Sequence, residues 1–454
     1  MFRPSAFLLT VLLATPVAAQ SISSETPSPK PLEVAYTQFK LSNGLNVILH
    51  EDHSVPIVTV NVWYLVGSAR EKPGRTGFAH LFEHLMFMGS GHVKYGEFDQ
   101  WLEAAGGDNN ASTGNDRTNY WINVPSNALE LALYLESDRL GYLLDAMTPK
   151  TVDAQRDVVK NERRQSVENQ PYGTADVVLG EMLFPEGHPY HWPTIGYMPD
   201  LTAASYEDVV AFFKTYYTTT NASLVVAGDL DTAKARPLIE KWFSDVKMSP
   251  SPGPVPIPVA TLTGVQKKTI TDRVQLPRLF LAWITPRLYQ PGDAALDLAA
   301  SVLTGGKNSR LYKRLVYDMQ IAQDVSAFQA SSELASTFQI QMTPRPGHTV
   351  AELQKVVDEE LRTLAQEPPT AREFERAVNG YESSFYNRME RVGGFGGKAD
   401  QINGYFSQTG DPDWFNEDLG RYRSLSPSDI RAAVATFLPL DRRVELTVEP
   451  EKKP

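Results

Sequence analysis

Apolar and polar positions alternate with period two from Phe39 and Leu41, across the turn pair Asn43-Gly44, to Leu45, Val47 and Leu49, which predicts a β-hairpin. A third strand is predicted over 57–66. The period then changes: residues 76–90 follow a helical pattern, and 97–105 and 128–144 continue as helices. Between the last two, Asn109 to Val124 alternates small polar and aromatic residues and reads as one extended edge strand. The first half is therefore mixed α+β.

The segment from Met248 to Val259 carries alternating prolines, which suit neither a helix interior nor a central strand. It reads as an extended linker, bounded here as 248–264, between an N-terminal domain (32–247) and a C-terminal domain (265–454). The two halves end alike. Ser205-Tyr-Glu-Asp208 opens a helix leading to a strand at Ala222–Ala227, and Ser426-Pro-Ser-Asp429 opens a helix leading to a strand at Val444–Val448. With the linker placed midway, duplication is the reading. The predicted fold is two homologous α+β domains, each an antiparallel sheet with helices packed on one face.

Composition narrows the class. With 454 residues, 42% hydrophobic and 21% charged, the chain can bury a sizeable core. The net charge of -11 comes without a basic stripe, so no nucleic-acid partner is expected. The chain has no cysteine, which excludes disulfides, thiolate metal ligands and a cysteine nucleophile. Any metal site must use histidine and carboxylate. At the N-terminus, Arg3, the apolar run Ala6–Leu13 and the small residues to Ala19 form a signal-peptide pattern (1–19), cut after Ala19. That run is too short to cross a bilayer, so no stable membrane anchor is expected; residues 20–31 read as a flexible mature N-terminus, and the chain is expected in a bacterial periplasm.

The candidate chemistry lies in His80-Leu81-Phe82-Glu83-His84. Histidines at i and i+4 project from one helix face and can share an ion, and Glu83 borders that face. Taken alone, the five letters fit two structural histidines beside a surface acid as well as they fit a zinc site. The flanking Phe78, Leu81, Phe82 and Leu85 favour a buried helix, where such polar groups need a compensating partner. A catalytic zinc also needs a third protein ligand.

Gly74 to Gly89, Gly107-Asp-Asn-Asn-Ala-Ser-Thr113 and Val158-Val-Lys-Asn-Glu-Arg-Arg164 together resemble the pitrilysin and insulysin family, which includes the mitochondrial processing peptidases. The resemblance runs over nearly the whole chain after the signal peptide. It implies a third ligand, a helical glutamate roughly 75 to 80 residues past the second histidine. Glu162 holds that place. It further implies one Zn2+ per chain on His80, His84 and Glu162, with Glu83 as the base of a metalloendopeptidase, and a peptide substrate laid along the edge strand at Asn109, Asn110 and Ala111.

Two departures from the family pattern stand out. Gln155 replaces a second glutamate seven residues before Glu162, and Val316 and Gln323 stand where a substrate-orienting arginine and tyrosine are expected after Ser309-Arg310-Leu311. Arg310 and Tyr317 share the seven-residue spacing in a different register. The resemblance therefore implies a homologous, non-zinc subunit that supplies the missing Arg/Tyr pair to a heterodimer. Glycine-rich Gly393–Gly397 would suit either a flexible segment facing that cleft or a helix-breaking loop. His188 and His191 read as structural, while His50, His53, His92 and His348 stand isolated. The alternative is a non-catalytic scaffold or assembly subunit of the same fold. A serine hydrolase finds no Gly-x-Ser-x-Gly elbow.

Overall fold

Six strands build the first sheet: β1 (Thr37–Lys40), β2 (Asn46–Glu51), β3 (Ile57–Tyr64), β4 (Asp108–Thr113), β5 (Thr118–Pro125) and β6 (Ala222–Gly228). The second has five: β7 (Gln266–Asp272), β8 (Arg278–Thr285), β9 (Ala322–Ala330), β10 (Ser336–Pro344) and β11 (Val444–Pro450). This computed structural model describes residues 31–451. The signal-peptide segment, and all but the last residue of 20–31, lie outside the described residues.

The sheet orders are β1-β2-β6-β3-β5-β4 and β7-β11-β8-β10-β9. Without β1 they are the same order, position for position. The antiparallel expectation holds for every neighbouring pair except one in each sheet, β2 with β6 and β7 with β11, which run parallel. The exceptions have a common cause. Each half ends with a helix that carries the chain back to the far side of the sheet, so its last strand inserts beside the first without a hairpin. Both returning helices start from the expected capping boxes, Ser205 with Asp208 and Ser426 with Asp429.

The stretch read as one edge strand is a hairpin. Gly114-Asn115-Asp116-Arg117 turns the chain, leaving β4 on the edge and β5 inside the sheet. The hairpin at Asn43-Gly44 forms as expected, with Gly44 at φ +89° and the Asn43 amide tied to the carbonyls of Phe243 and Val246 at 2.7 and 3.0 Å. No regular element occupies 248–264.

Each half has its own apolar core between sheet and helices. In the first, Val58, Val60, Val62 and Tyr64 of β3 face Leu81, Phe82 and Leu85 of the motif helix and Leu133 and Leu140 of the helix Leu129–Ala146. The second packs Leu281, Trp283, Phe338 and Ile340 against the helices Asp293–Thr304, Val350–Gln366 and Pro427–Phe437.

Helices cover both faces of each sheet, however, and the second face is covered from the other half. The helix Lys398–Thr409 lies across β3 and β6. Its Asp400 accepts from Trp63 Nε1 and Asn119 Nδ2, both at 2.8 Å, and Asn403 donates to Asn61 Oδ1 at 2.8 Å. Reciprocally, the helix Ala175–Leu183 packs Ala175, Leu179 and Leu183 onto Phe280, Ala282, Val444, Leu446 and Val448 of the second sheet. One cross-half contact is polar and the other apolar. Together they join the described residues from 33 to 451 into one compact unit. No described helix is long and apolar enough to cross a membrane.

The glycine-rich segment belongs to this junction. A Cβ on Gly393 would lie 1.9 Å from Asn123 Oδ1 and 2.1 Å from Thr59 Oγ1, so only glycine lets the loop approach the sheet this closely. Phe395 meets Trp121 edge-on, and Gly396 donates its N–H to Asp400 at 2.8 Å. Of the two expectations for this segment, it is the packed, helix-breaking loop.

Candidate metal centre

The motif helix runs from Phe78 to Leu85. Gly77 precedes it at φ +87°, and a Cβ there would meet the Ile195 carbonyl oxygen at 2.7 Å. Glu71 caps the helix by accepting from the N–H groups of Gly77 and Ala79 at 2.9 and 2.8 Å. Phe78, Leu81, Phe82 and Leu85 anchor one face in the core. The opposite face presents His80, Glu83 and His84, all half-buried.

Glu162 comes from the helix Pro149–Arg163, capped by Thr148 through Thr151 N–H. Val152, Gln155, Val159 and Glu162 are spaced three, four and three residues apart, one stripe along that helix. The first three are buried, and the helix packs against the motif helix. The neighbouring arginines do not claim Glu162. Arg163 donates to Glu168 at 2.8 Å and to the Gly196 carbonyl, and Arg164 donates to Asn161 at 2.5 Å. Directly after Glu162 the chain widens into a π-turn, Arg164–Glu168, a distortion frequent at functional sites.

His80 Nε2 and His84 Nε2 thus lie 3.6 and 3.1 Å from the two oxygens of Glu162. Among the described residues, these three form the one cluster of possible ligands, with donor atoms all within 4.8 Å of one another. Burial, and then the neighbouring His84, push His80 down to about 4, so its ring is neutral at pH 7 and free to donate a lone pair. The hydrogen bond to His84 holds the Glu162 carboxyl below its usual range. Two imidazole nitrogens and a carboxylate suit zinc, and a site with three protein ligands keeps a position open.

Glu83 accepts from Thr113 Oγ1 at 2.6 Å, and burial raises its carboxyl despite that bond. Thr113 ends β4, whose outer edge pairs with no other strand among the described residues. Of the predicted substrate residues, Asn109 donates to Asp99 at 3.1 Å, Asn110 is exposed, and Ala111 turns its methyl into the core while its backbone stays on the strand. At the end of the turn, Arg117 is half-buried. It donates to the Ser112 carbonyl and hydroxyl at 2.8 and 2.6 Å and stacks over Trp63. Asp116, at the tip, accepts from Tyr190 Oη at 2.6 Å and from Glu333 N–H at 3.1 Å, and Leu334 N–H donates to the same tyrosine oxygen at 2.9 Å. The β9–β10 turn of the second half therefore grips the tip of the hairpin that carries β4.

Thr113, Asp116 and Arg117 escaped the reading of the chain as sequence. Their signal was Gly114-Asn115-Asp116, a turn inside the supposed strand. In the sequence Gln155 is only a departure from the family pattern; in the fold its amide Nε2 lies 3.1 Å from His84 Nδ1.

The remaining candidates sit elsewhere. Arg310 is held in a two-point ion pair by Glu373 at 2.7 and 3.0 Å, and Tyr317 is exposed. His188 is buried, stacks on Phe184 and accepts from Tyr190 N–H at 3.0 Å; His191 bonds the Phe184 carbonyl. Both are structural. His50, His53, His92 and His348 join no ligand cluster.

Two histidines one turn apart, a glutamate from a neighbouring helix and a second glutamate at the rim lie on the first of two repeated α+β halves, an arrangement that fits the inverted-motif class of metallopeptidases. Residues 46–183 match the family model "Insulinase (Peptidase family M16)", and 203–381 match "Peptidase M16 inactive domain". A zinc protease of Helicobacter pylori, PqqE, is 30% identical over 394 residues, 84% of this chain and 85% of that one. The chain belongs to peptidase family M16.

A probable mitochondrial-processing peptidase subunit beta of Arabidopsis thaliana is 25% identical, over 77% of this chain and 67% of its own. A crystal structure of a Helicobacter pylori protease superposes with a TM-score of 0.84 at 26% identity, covering 92% of this chain and 99% of that one. A Pseudomonas fluorescens structure, described as a peptidase M16 inactive domain, has a TM-score of 0.81 at 19% identity and shares the fold. The insulinase match contains His80, Glu83, His84 and Glu162. The second match begins ahead of β6, so it takes in a strand from the middle of the first sheet.

Proposed function

We propose that the chain is a zinc-dependent endopeptidase cleaving peptides or unfolded segments, with one zinc held by His80, His84 and Glu162. The observation that carries this is the convergence of His80 Nε2, His84 Nε2 and the Glu162 carboxylate, with no lysine or arginine among the described residues paired to Glu162. Zinc, when bound, supplies Lewis acidity toward the scissile carbonyl and the attacking water. Glu83 takes the proton of that water and passes it to the leaving amine; its raised affinity for a proton suits both directions of transfer. Thr113 fixes the carboxylate's orientation, and the free edge of β4, at Asn109, Asn110 and Ala111, offers backbone groups to an extended peptide.

The chain is further proposed to act as the catalytic subunit of a heterodimer, after export to a periplasm. Arg310 is engaged by Glu373 and Val316 and Gln323 carry no such chemistry, which supports a homologous partner as the source of the Arg/Tyr pair. The "inactive domain" description of the second family match favours the rival reading, a non-catalytic scaffold, but that match covers none of the four site residues.

The test assays zinc content and peptide cleavage by the purified chain, alone and with its candidate partner, beside Glu83→Gln. Zinc retained with turnover lost in the variant supports the assignment. Unchanged cleavage removes Glu83 as the base, full activity of the lone chain removes the partner, and a zinc-free, inactive wild type favours the scaffold.

A further inference from the structure

Imidazoles that bind zinc are ordinarily supported from behind, with the ring nitrogen away from the metal donating its N–H to a carboxylate, a carbonyl or water. The two histidines of this centre differ in that respect. His80 Nδ1 is buried and has no hydrogen-bond partner. His84 Nδ1 has one, the side-chain amide of Gln155 at 3.1 Å. Gln155 is itself buried, one residue of the stripe that ends in Glu162, so it approaches from the helix that also supplies the third ligand. Among the described residues no charged group bonds either Nδ1.

The nitrogen of His84 that faces Glu162 is Nε2. The amide atom facing Nδ1 here is Gln155 Nε2; a ring ligating through Nε2 carries its proton on Nδ1, and the Gln155 amide, turned end for end, then presents its oxygen to accept it. An amide oxygen offers only a partial charge. A carboxylate in that place would make a charge-assisted bond and increase the electron density the ring gives to a metal. A buried carboxylate would also gain more from a nearby cation than a neutral amide can.

We propose that Gln155 is a positioning residue for His84, and that its neutrality sets the zinc affinity of this centre below what a carboxylate at the same position would give. The inference rests on the metal-centre reading above. It makes the zinc of this chain comparatively exchangeable, with occupancy that follows the free metal around it.

A chelator-competition titration with zinc alone, on the full chain, tests this with the wild type, Gln155→Glu, Gln155→Leu and a Glu162→Gln control. Gln155→Glu is expected to tighten zinc binding about 10- to 100-fold and to slow zinc release to the chelator, and Gln155→Leu to weaken binding by about tenfold. If the leucine variant fails to fold, Gln155→Asn, too short to reach His84, replaces it with the same expected loss. Equal affinity in the wild type and Gln155→Glu, or weaker binding by a folded Gln155→Glu, overturns the proposal. The metal reading fails separately: Glu162→Gln would then bind zinc as tightly as the wild type.

Discussion

Thr113 donates its hydroxyl to Glu83 across 2.6 Å, so the last residue of the edge strand holds the proposed base. Thr113→Val removes the donor and keeps the shape. A hydrogen bond to a charged group contributes about 1.5 to 3 kcal/mol, so kcat should fall by roughly ten- to a hundredfold. Zinc content should not change, and Thr113→Ser should restore most of the rate. A valine variant with wild-type kcat would remove Thr113 from the mechanism.

Asp116, three residues on in the turn, ties the same end of the hairpin to Tyr190 and the backbone of Glu333. Asp116→Ala should free the tip. Limited proteolysis near Gly114–Arg117 is expected to speed up, and KM for an extended peptide to rise as β4 loses its fixed edge. Unchanged cutting at the tip would show that the second half does not hold the hairpin.

His80 gives the metal-free protein a defined pH response. Its folded value of about 4 lies below the value of about 6.5 that an unperturbed histidine has. Between these values the unfolded chain binds more protons than the native one, so stability rises with pH. The contribution is complete above about pH 6.5 and is lost as pH falls toward 4. Denaturant titrations of the zinc-free chain should show this slope, and His80→Gln should flatten it.

Asp400 holds the two halves together. It is buried, and Asp400→Ala would leave Trp63 Nε1 and Asn119 Nδ2 without their acceptor. A loss of about 3 kcal/mol in unfolding free energy is expected. Loss of one half's signal ahead of the other on chemical denaturation would mark it as a junction defect.

What is legible in the sequence alone is set by local chemistry. Asn43-Gly44 and the serine caps at 205 and 426 act within a few residues, so hairpin, helix starts and repeat were all legible. The ligand pair was legible for the same reason, one helical turn. Glu162 needed the family resemblance, because nothing near it in sequence says which helix will pack beside His80. Thr59, Asn61 and Trp63 of β3 would suit a solvent-facing side; the loop at Gly393 and the helix that follows it, more than three hundred residues away, cover them. Thr113 and Gln155 acquire their roles only from side chains brought near by folding.

The exchange of helices between the halves also bears on molecularity. Were the two halves separate chains, closing each sheet would be a second-order reaction, dependent on dilution. The proline-rich tether at 248–264 makes it first-order, with an effective concentration on the order of millimolar for a flexible connection. A chain cut in that tether should stay assembled while folded, yet refold at a rate that scales with protein concentration.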